Sequence, residues 1–431
     1  MPTIVRRGMF ATNYPGTVEI WAAPHCERPF TASVQIPGSK SMTNRALVLA
    51  ALASGDSRIS GWLDARDTRL MIAGLRALGT EIATDTDLRI TGHPLRGPAT
   101  IDCGLAGTVM RFLPPVAALA SGAVTFTGDE QARTRPLAPM LAALRDLGVD
   151  VTGDALPFDV HGGSLRGGSV ALDASASSQF VSGLLLSGAR MRRGLHLRHV
   201  GPPLPSVPHI EMTVAMLAEA GVTVLGKGDE WQVEPGQIAA HHWHIEPDLS
   251  NAGPFLAAAV VTGSTVSVAD WPTHTTQAGD YWRGFLTHLG AQVSPGLTVT
   301  GPDEYPGFDV NLRAVGELTP TIAAIAAFAT SPSRLSGIAH LRGHETDRLV
   351  AIAAELERVG VTVQVEPDAL VIDPSGRRAN SDATIRTYAD HRMATMGAIL
   401  ALRIPGLCVA DPETTAKTMP GFVARWEGMV A

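Results

Sequence analysis

Hydrophobic and polar positions in this chain recur in one pattern along its length. An Ala/Leu-rich helical run is followed by a short β-branched stretch, a second helix that stops at glycine, and a β-hairpin. The second helix ends at Leu78-Gly79-Thr80, Leu147-Gly148-Val149, Ala220-Gly221-Val222, Leu289-Gly290-Ala291 and Val359-Gly360-Val361, a period of about seventy residues. Glycine in that place is the left-handed cap of a helix, and the β-branched residues after it begin a strand. The first half repeats too, with apolar runs at 46–53, 112–121, 180–188, 255–263 and 322–330, and a sixth, truncated copy starting at Met393. A fixed period means one supersecondary unit used repeatedly. The pattern predicts an α/β protein of two domains, each of three βαβαββ units.

The first domain boundary is expected at the turn Pro37-Gly38, and the second at Ile245-Glu246-Pro247-Asp248. This gives a discontinuous domain of residues 1–38 and 246–431, an inserted domain of residues 39–245, and two connections that form a hinge. Residues 1–28 read as a loose extension.

Thr31 to Ile36 alternates like a strand and stops at Pro37. Asn44 to Leu52 reads as a helix, with Ser39 or Ser41 as its cap. A helix start offers unbonded N–H groups and a positive dipole end, to which Lys40, Ser41 and Arg45 add donors, so the stretch reads as an anion cradle. The P-loop spacing fails because Ser39 occupies the place of the second glycine. Gly104-Leu105-Ala106-Gly107-Thr108 precedes another Ala/Leu helix, either as a second backbone cradle or as a tight turn with a Thr cap. Arg135 follows in a loop, Ser175 to Gln179 supplies surplus hydroxyls and an amide at a third helix start, and Ser206 lies in a proline-rich loop. The C-terminal half adds Glu317, His340, His344, Glu345, Arg348, Asp390, Arg392 and Lys417. All of these fall at loops or helix starts, which gather at one end of a domain. Lys40, Arg45, Arg135, His344, Arg348, Arg392 and Lys417 against Glu317 and Glu345 describe a site for small polyanions, with carboxylates for proton transfer.

Charge and composition narrow the partners. Net charge is −7 over 431 residues, so no general basic field attracts nucleic acid. Charged residues are 17% and no apolar run reaches membrane-span length, so neither disorder nor a membrane anchor is expected. No apolar core of signal-peptide length occurs near the N-terminus. Three scattered cysteines show no ligand spacing, and His344-Glu345 lacks the second histidine of a zinc helix, because Arg348 stands there. His241-His242-Trp243-His244 is read as a structural feature. No metal or cofactor is implied, and the setting expected is cytoplasmic.

Pro-Gly-Ser-Lys-Ser-x-Thr-Asn-Arg (37–45), Ala-Gly-Thr (106–108), Arg-Pro (135–136), Ser-Ser-Gln-Phe (177–180), Glu-Thr-Asp-Arg (345–348), Asp-His-Arg-Met (390–393) and Ala-Lys-Thr (416–418) together resemble EPSP synthases, in particular those of actinobacteria. The resemblance implies an inside-out α/β barrel in each domain, with the active site in the interdomain cleft. It implies a carboxyvinyl transfer from phosphoenolpyruvate to the 5-hydroxyl of shikimate 3-phosphate, with C–O cleavage that needs no metal, in a monomeric enzyme. Lys40, Ser41, Arg45, Ser177, Ser178, Gln179, Ser206, Glu317 and His344 would hold shikimate 3-phosphate. Lys40, Gly107, Arg135, Gln179, Arg348, Arg392 and Lys417 would hold phosphoenolpyruvate. Glu317 would take the hydroxyl proton, and Glu345 with Lys40 would serve the methylene carbon. Gly107 implies sensitivity to glyphosate. The chain departs from the family pattern at Glu317 (usually aspartate), His344 (lysine), His340 and Leu105 (asparagine) and Phe112 (proline).

Two related families fit less well. The sister transferase acting on UDP-N-acetylglucosamine has asparagine after Pro-Gly-Ser-Lys and a loop cysteine, where this chain has Ser41 and Gly128-Asp129-Glu130. RNA-terminal phosphate cyclases would need a basic stripe. A non-catalytic anion-binding protein on the same scaffold would leave Glu317 and Glu345 idle.

Overall fold

A computed structural model describes residues 6–8 and 18–431, apart from Ser164 and the side chains of residues 6–8 and Lys227. The chain divides into two compact units, Pro37–Pro247 and a discontinuous one of Met1–Ile36 with Asp248–Ala431.

In Pro37–Pro247 three four-stranded sheets follow one plan. A parallel pair comes first, then two antiparallel neighbours: His242–His244 beside Asp56–Ser60, Leu88–Thr91 and Glu81–Thr84; Ala99–Asp102 beside Ala123–Thr127, Phe158–His161 and Asp150–Thr152; Gly168–Leu172 beside Leu195–His199, Glu230–Val233 and Val224–Lys227. The helices Lys40–Leu52, Gly107–Ala117 and Gln179–Gly188 are apolar on nearly every face, and they are buried against one another in the centre. A helix without a polar face has no other stable place. The second helices, Arg66–Ala77, Ala138–Asp146 and Pro208–Glu219, each keep an exposed side.

The discontinuous unit repeats the plan with central helices Leu249–Thr262, Thr319–Ala326 and His391–Ala401. Thr31–Val34 pairs in parallel with Thr265–Val268, and Asp309–Asn311 with Ser333–Ser336. The third sheet corrects two expectations. Thr384–Ile385 pairs with Cys408–Ala410, and the antiparallel neighbours come from the other end of the chain: Val18–Ala22, then Arg6–Gly8. The sixth unit is therefore complete rather than truncated, its hairpin lying before the first unit in sequence. Val18–Ala22 is not a loose extension, since Trp21 is buried against Phe422 and its Nε1 donates to Glu427 Oε1 at 2.9 Å. Beyond it in the expected extension Cys26 N donates to Leu402 O at 3.0 Å, and residues 1–5 and 9–17 lie outside the described residues.

Gly79, Gly148, Gly221, Gly290 and Gly360 have φ between 77° and 96°, the left-handed cap that the period requires. No helix among the described residues is long and apolar enough to cross a membrane. No group of three His, Cys, Asp or Glu side chains among them is arranged for a metal ion.

Candidate functional site

Two constellations form, one in each unit, at helix starts and in the short segments beside them. In Pro37–Pro247 the first helix starts at Lys40, four residues earlier than the sequence pattern suggests, because Ser39 is the cap and its Oγ accepts from Met42 N. Lys40 and Ser41 thus fall in the first turn, and Lys40 Nζ is 3.1 Å from the buried Asp67 carboxylate. The second helix has no side-chain cap, for Ala106 precedes it. Thr108, the expected cap candidate, instead accepts from Asn44 Nδ2 at 2.6 Å, which ties the two helix starts together. At Gly107 the backbone faces guanidinium groups directly: a Cβ there would meet Arg111 Nη1 at 2.8 Å and Arg135 Nη2 at 3.0 Å. Arg135 Nη1 donates to Leu105 O and Arg111 Nη1 to Gln179 Oε1, at 3.0 and 2.9 Å. Gln179 opens the third helix behind Ser178, and Ser177 Oγ accepts from its backbone N–H. Ser206 is half-buried before the helix Pro208–Glu219, with φ of 50°.

Arg45 does not reach out over the helix end. It is 1% exposed and donates to Thr213 Oγ1, Ser41 O, Ser182 Oγ and His209 O, all neutral acceptors. Burial with no compensating carboxylate pulls its pKa down to about 9. It remains cationic at neutral pH, a positive charge set beneath the first helix turn.

The discontinuous unit carries the carboxylates. Glu317 lies in a short 3-10 segment, Arg313–Leu318, and Ser250 Oγ donates to its Oε1 at 3.4 Å. His340 lies against Gly316, where a Cβ would stand 2.3 Å from its Nε2, and burial pushes its pKa down to about 4. Its ring meets that of His344 edge-on at 5.9 Å. Glu345 is held at both oxygens, by Lys417 Nζ at 2.6 Å and by Arg348 Nη2 at 3.0 Å. Arg348 also grips Asp390 with two bonds, Nε to Oδ2 at 2.7 Å and Nη2 to Oδ1 at 3.1 Å. Burial opposes its charge, but Asp390 and Glu345 outweigh that and hold it above the usual range. Arg392 follows Asp390 on the next helix; burial and the nearby Arg348 lower its pKa.

Before Asp390, Tyr388 and Ala389 both have φ of 55°, a conformation costing about 1–2 kcal/mol per residue for side chains with a Cβ. Two residues lie outside the sequence-predicted set, Asp67 under Lys40 and Arg111 on Gln179. Asp390, expected only at a helix start, also serves as the clamp on Arg348. Asp67 and Arg111 lie on helices whose sequences read as ordinary amphipathic and apolar runs.

Residues 25–426 match the family model for EPSP synthase (3-phosphoshikimate 1-carboxyvinyltransferase). The chain belongs to the EPSP synthase family. It is an enolpyruvyl-transfer enzyme of the shikimate pathway. Its fold is similar to that of an EPSP synthase from Acinetobacter baumannii (TM-score 0.76, 24% identity, 96% of this chain and 98% of that one). A second structure of the enzyme from that organism matches with TM-score 0.75 and 23% identity over 95% and 98%. The enolpyruvyl transferase NikO from Streptomyces tendae matches with TM-score 0.75 and 17% identity over 96% and 97%.

Proposed function

We propose that this enzyme transfers the carboxyvinyl group of phosphoenolpyruvate to the 5-hydroxyl of shikimate 3-phosphate, releasing phosphate. One observation carries the reading: the Glu345 carboxylate is held between Lys417 and Arg348, with Arg392 on the adjoining helix. A proton-transfer group set among cations suits a substrate that is an anion and changes protonation at carbon during turnover.

Lys40, Ser41, Ser177, Ser178, Gln179 and Ser206 supply the polar groups for shikimate 3-phosphate, with Arg45 adding charge from below and His344 a ring nitrogen. Lys40, Gln179, Arg135, Arg348, Arg392 and Lys417 hold phosphoenolpyruvate, and the bare Gly107 leaves its space open. Glu317 accepts the proton of the 5-hydroxyl as that oxygen attacks C2. Glu345, assisted by Lys40, delivers a proton to the methylene carbon, giving a tetrahedral intermediate with a methyl group. Removal of a proton from that methyl expels phosphate with its C–O bonding pair and restores the double bond. Glyphosate competes for the phosphoenolpyruvate groups. The free cysteines at 26, 103 and 408 support a reducing, cytoplasmic setting, and the enzyme works as a monomer, which gel filtration tests.

The deciding assay is phosphate release from the two substrates in the presence of EDTA, beside a tube in which UDP-N-acetylglucosamine replaces shikimate 3-phosphate. Release in the first tube alone supports the reading. Release only with the sugar nucleotide, or none in either tube, overturns it.

A further inference from the structure

Glu355 is a fully buried carboxylate that the proposed chemistry does not use. It lies on the helix Arg348–Arg358, seven residues after Arg348 and therefore two turns along the same face, about 10.5 Å away. Both ends of that face grip one loop. Arg348 takes Asp390 with two bonds, while Glu355 Oε1 accepts from Tyr388 Oη at 2.6 Å and Glu355 Oε2 from Arg386 N at 3.0 Å. Arg358 completes an ion pair with Glu355 at 2.9 Å. Between the two grips stand Tyr388 and Ala389, the consecutive left-handed residues. Their turn is closed by Asp390 N donating to Thr387 O, and Asp390 Oδ1 then caps the next helix at Arg392 N. Tyr388 stays a hydrogen-bond donor throughout the physiological range, because burial and then the carboxylate push its pKa up to about 12.

Two neighbouring residues in that conformation persist only where their surroundings over-determine it. We propose that Glu355 is a positioning residue for the transfer reaction: by holding Arg386 and Tyr388 it keeps the 386–390 loop in its left-handed turn, which aims Arg348 and Arg392 at the anion. Without it the loop relaxes toward extended backbone, Asp390 leaves the Arg348 fork, and the start of the helix His391–Ala401 swings. The inference rests on the functional reading above only in assigning phosphoenolpyruvate to Arg348 and Arg392.

The test compares wild type, Glu355→Gln, the milder Tyr388→Phe, and Glu355→Gln with Ala389→Gly, a residue that adopts the left-handed turn without cost. Expected for Glu355→Gln is a rise of about tenfold in KM for phosphoenolpyruvate, with KM for shikimate 3-phosphate within about twofold of wild type. Tyr388→Phe should move the same constant by about threefold, the weight of one hydrogen bond. The added glycine should recover most of the loss. Hydrogen exchange should quicken at amides 386–392 while the helix Thr319–Ala326 keeps its protection. An unchanged KM for phosphoenolpyruvate, a parallel rise in both constants, or no recovery with glycine would each overturn the proposal. Wild-type enzyme that releases no phosphate would sink the functional reading alone, since exchange at 386–392 would still judge the clamp.

Discussion

Lys417 Nζ stands 2.6 Å from Glu345 Oε1, on a carboxylate whose other oxygen meets Arg348 at 3.0 Å. The pair is nearly buried, with Lys417 and Glu345 side chains 8% and 7% exposed. A carboxylate bonded at both oxygens has a fixed orientation, which suits the proton transfer proposed for it. Glu345→Gln keeps the shape and removes the proton, so kcat should fall by about 10²–10⁴. Equilibrium binding of shikimate 3-phosphate should stay within a few-fold. Steady-state phosphate release and a binding titration separate the two, and a variant with near wild-type kcat would remove Glu345 from the chemistry.

Gly107 leaves no room for a methyl group beside the Arg111 and Arg135 guanidiniums. Both neighbours are the ends of long side chains, so Gly107→Ala should fold, with the arginines displaced by a few tenths of an ångström. KM for phosphoenolpyruvate should rise about tenfold, and the glyphosate concentration for half inhibition should rise by more than that. Inhibition curves on wild type and variant decide it. A wild type indifferent to millimolar glyphosate would refute the assignment of this glycine.

His340 is held neutral by burial, with Glu317 and Asp368 pulling its pKa up and Arg313 and Arg348 pulling it down, to a net value of about 4. The unfolded chain, with histidine near 6.5, binds more protons between those values, so stability contributed at neutral pH is lost as pH falls from about 6.5 to 4. The contribution is at most about 3 kcal/mol. His340→Asn should flatten that part of the profile. Urea unfolding of both proteins at pH 4.5, 5.5, 6.5 and 7.5 measures it, and parallel curves would contradict the prediction.

Trp21 joins the Val18–Ala22 strand to Phe422 and Glu427 at the far end of the chain. Trp21→Ala should destabilise the discontinuous unit by about 3–5 kcal/mol. Thermal unfolding should show the transition of that unit lowered and the transition of Pro37–Pro247 unmoved. A single shift of less than a degree would mean that the sheet does not depend on this strand.

Much of this architecture could be read from local signals. The five glycines cap helices because their φ demands it, and the helix starts that carry Lys40, Gly107 and Gln179 are marked by hydroxyl, glycine and proline residues within a few positions. What stayed hidden is long-range. Nothing near Val18–Ala22 says that its partner is Cys408–Ala410, and a five-residue stretch this far from the first repeat unit reads as part of a tail. Arg45 looks like a surface donor until Thr213, Ser182 and the His209 carbonyl close around it, contacts more than 130 positions away in sequence. Glu355 sits in a helix rich in charge, and only the packing of the 386–390 loop shows which of its glutamates is buried.

The shared sheet of the chain's two ends also sets an order of events on the ribosome. Every strand and central helix of Pro37–Pro247 lies within one continuous stretch, so that unit can close while synthesis continues. The strand Val18–Ala22 has Arg6–Gly8 beside it from the start but must wait for Cys408, about 390 residues later, before its other edge is paired. At ordinary elongation rates the delay is about 20–80 s. During that interval Trp21 lacks the Phe422 and Glu427 it packs on, so a strand made before Pro37–Pro247 becomes native after it.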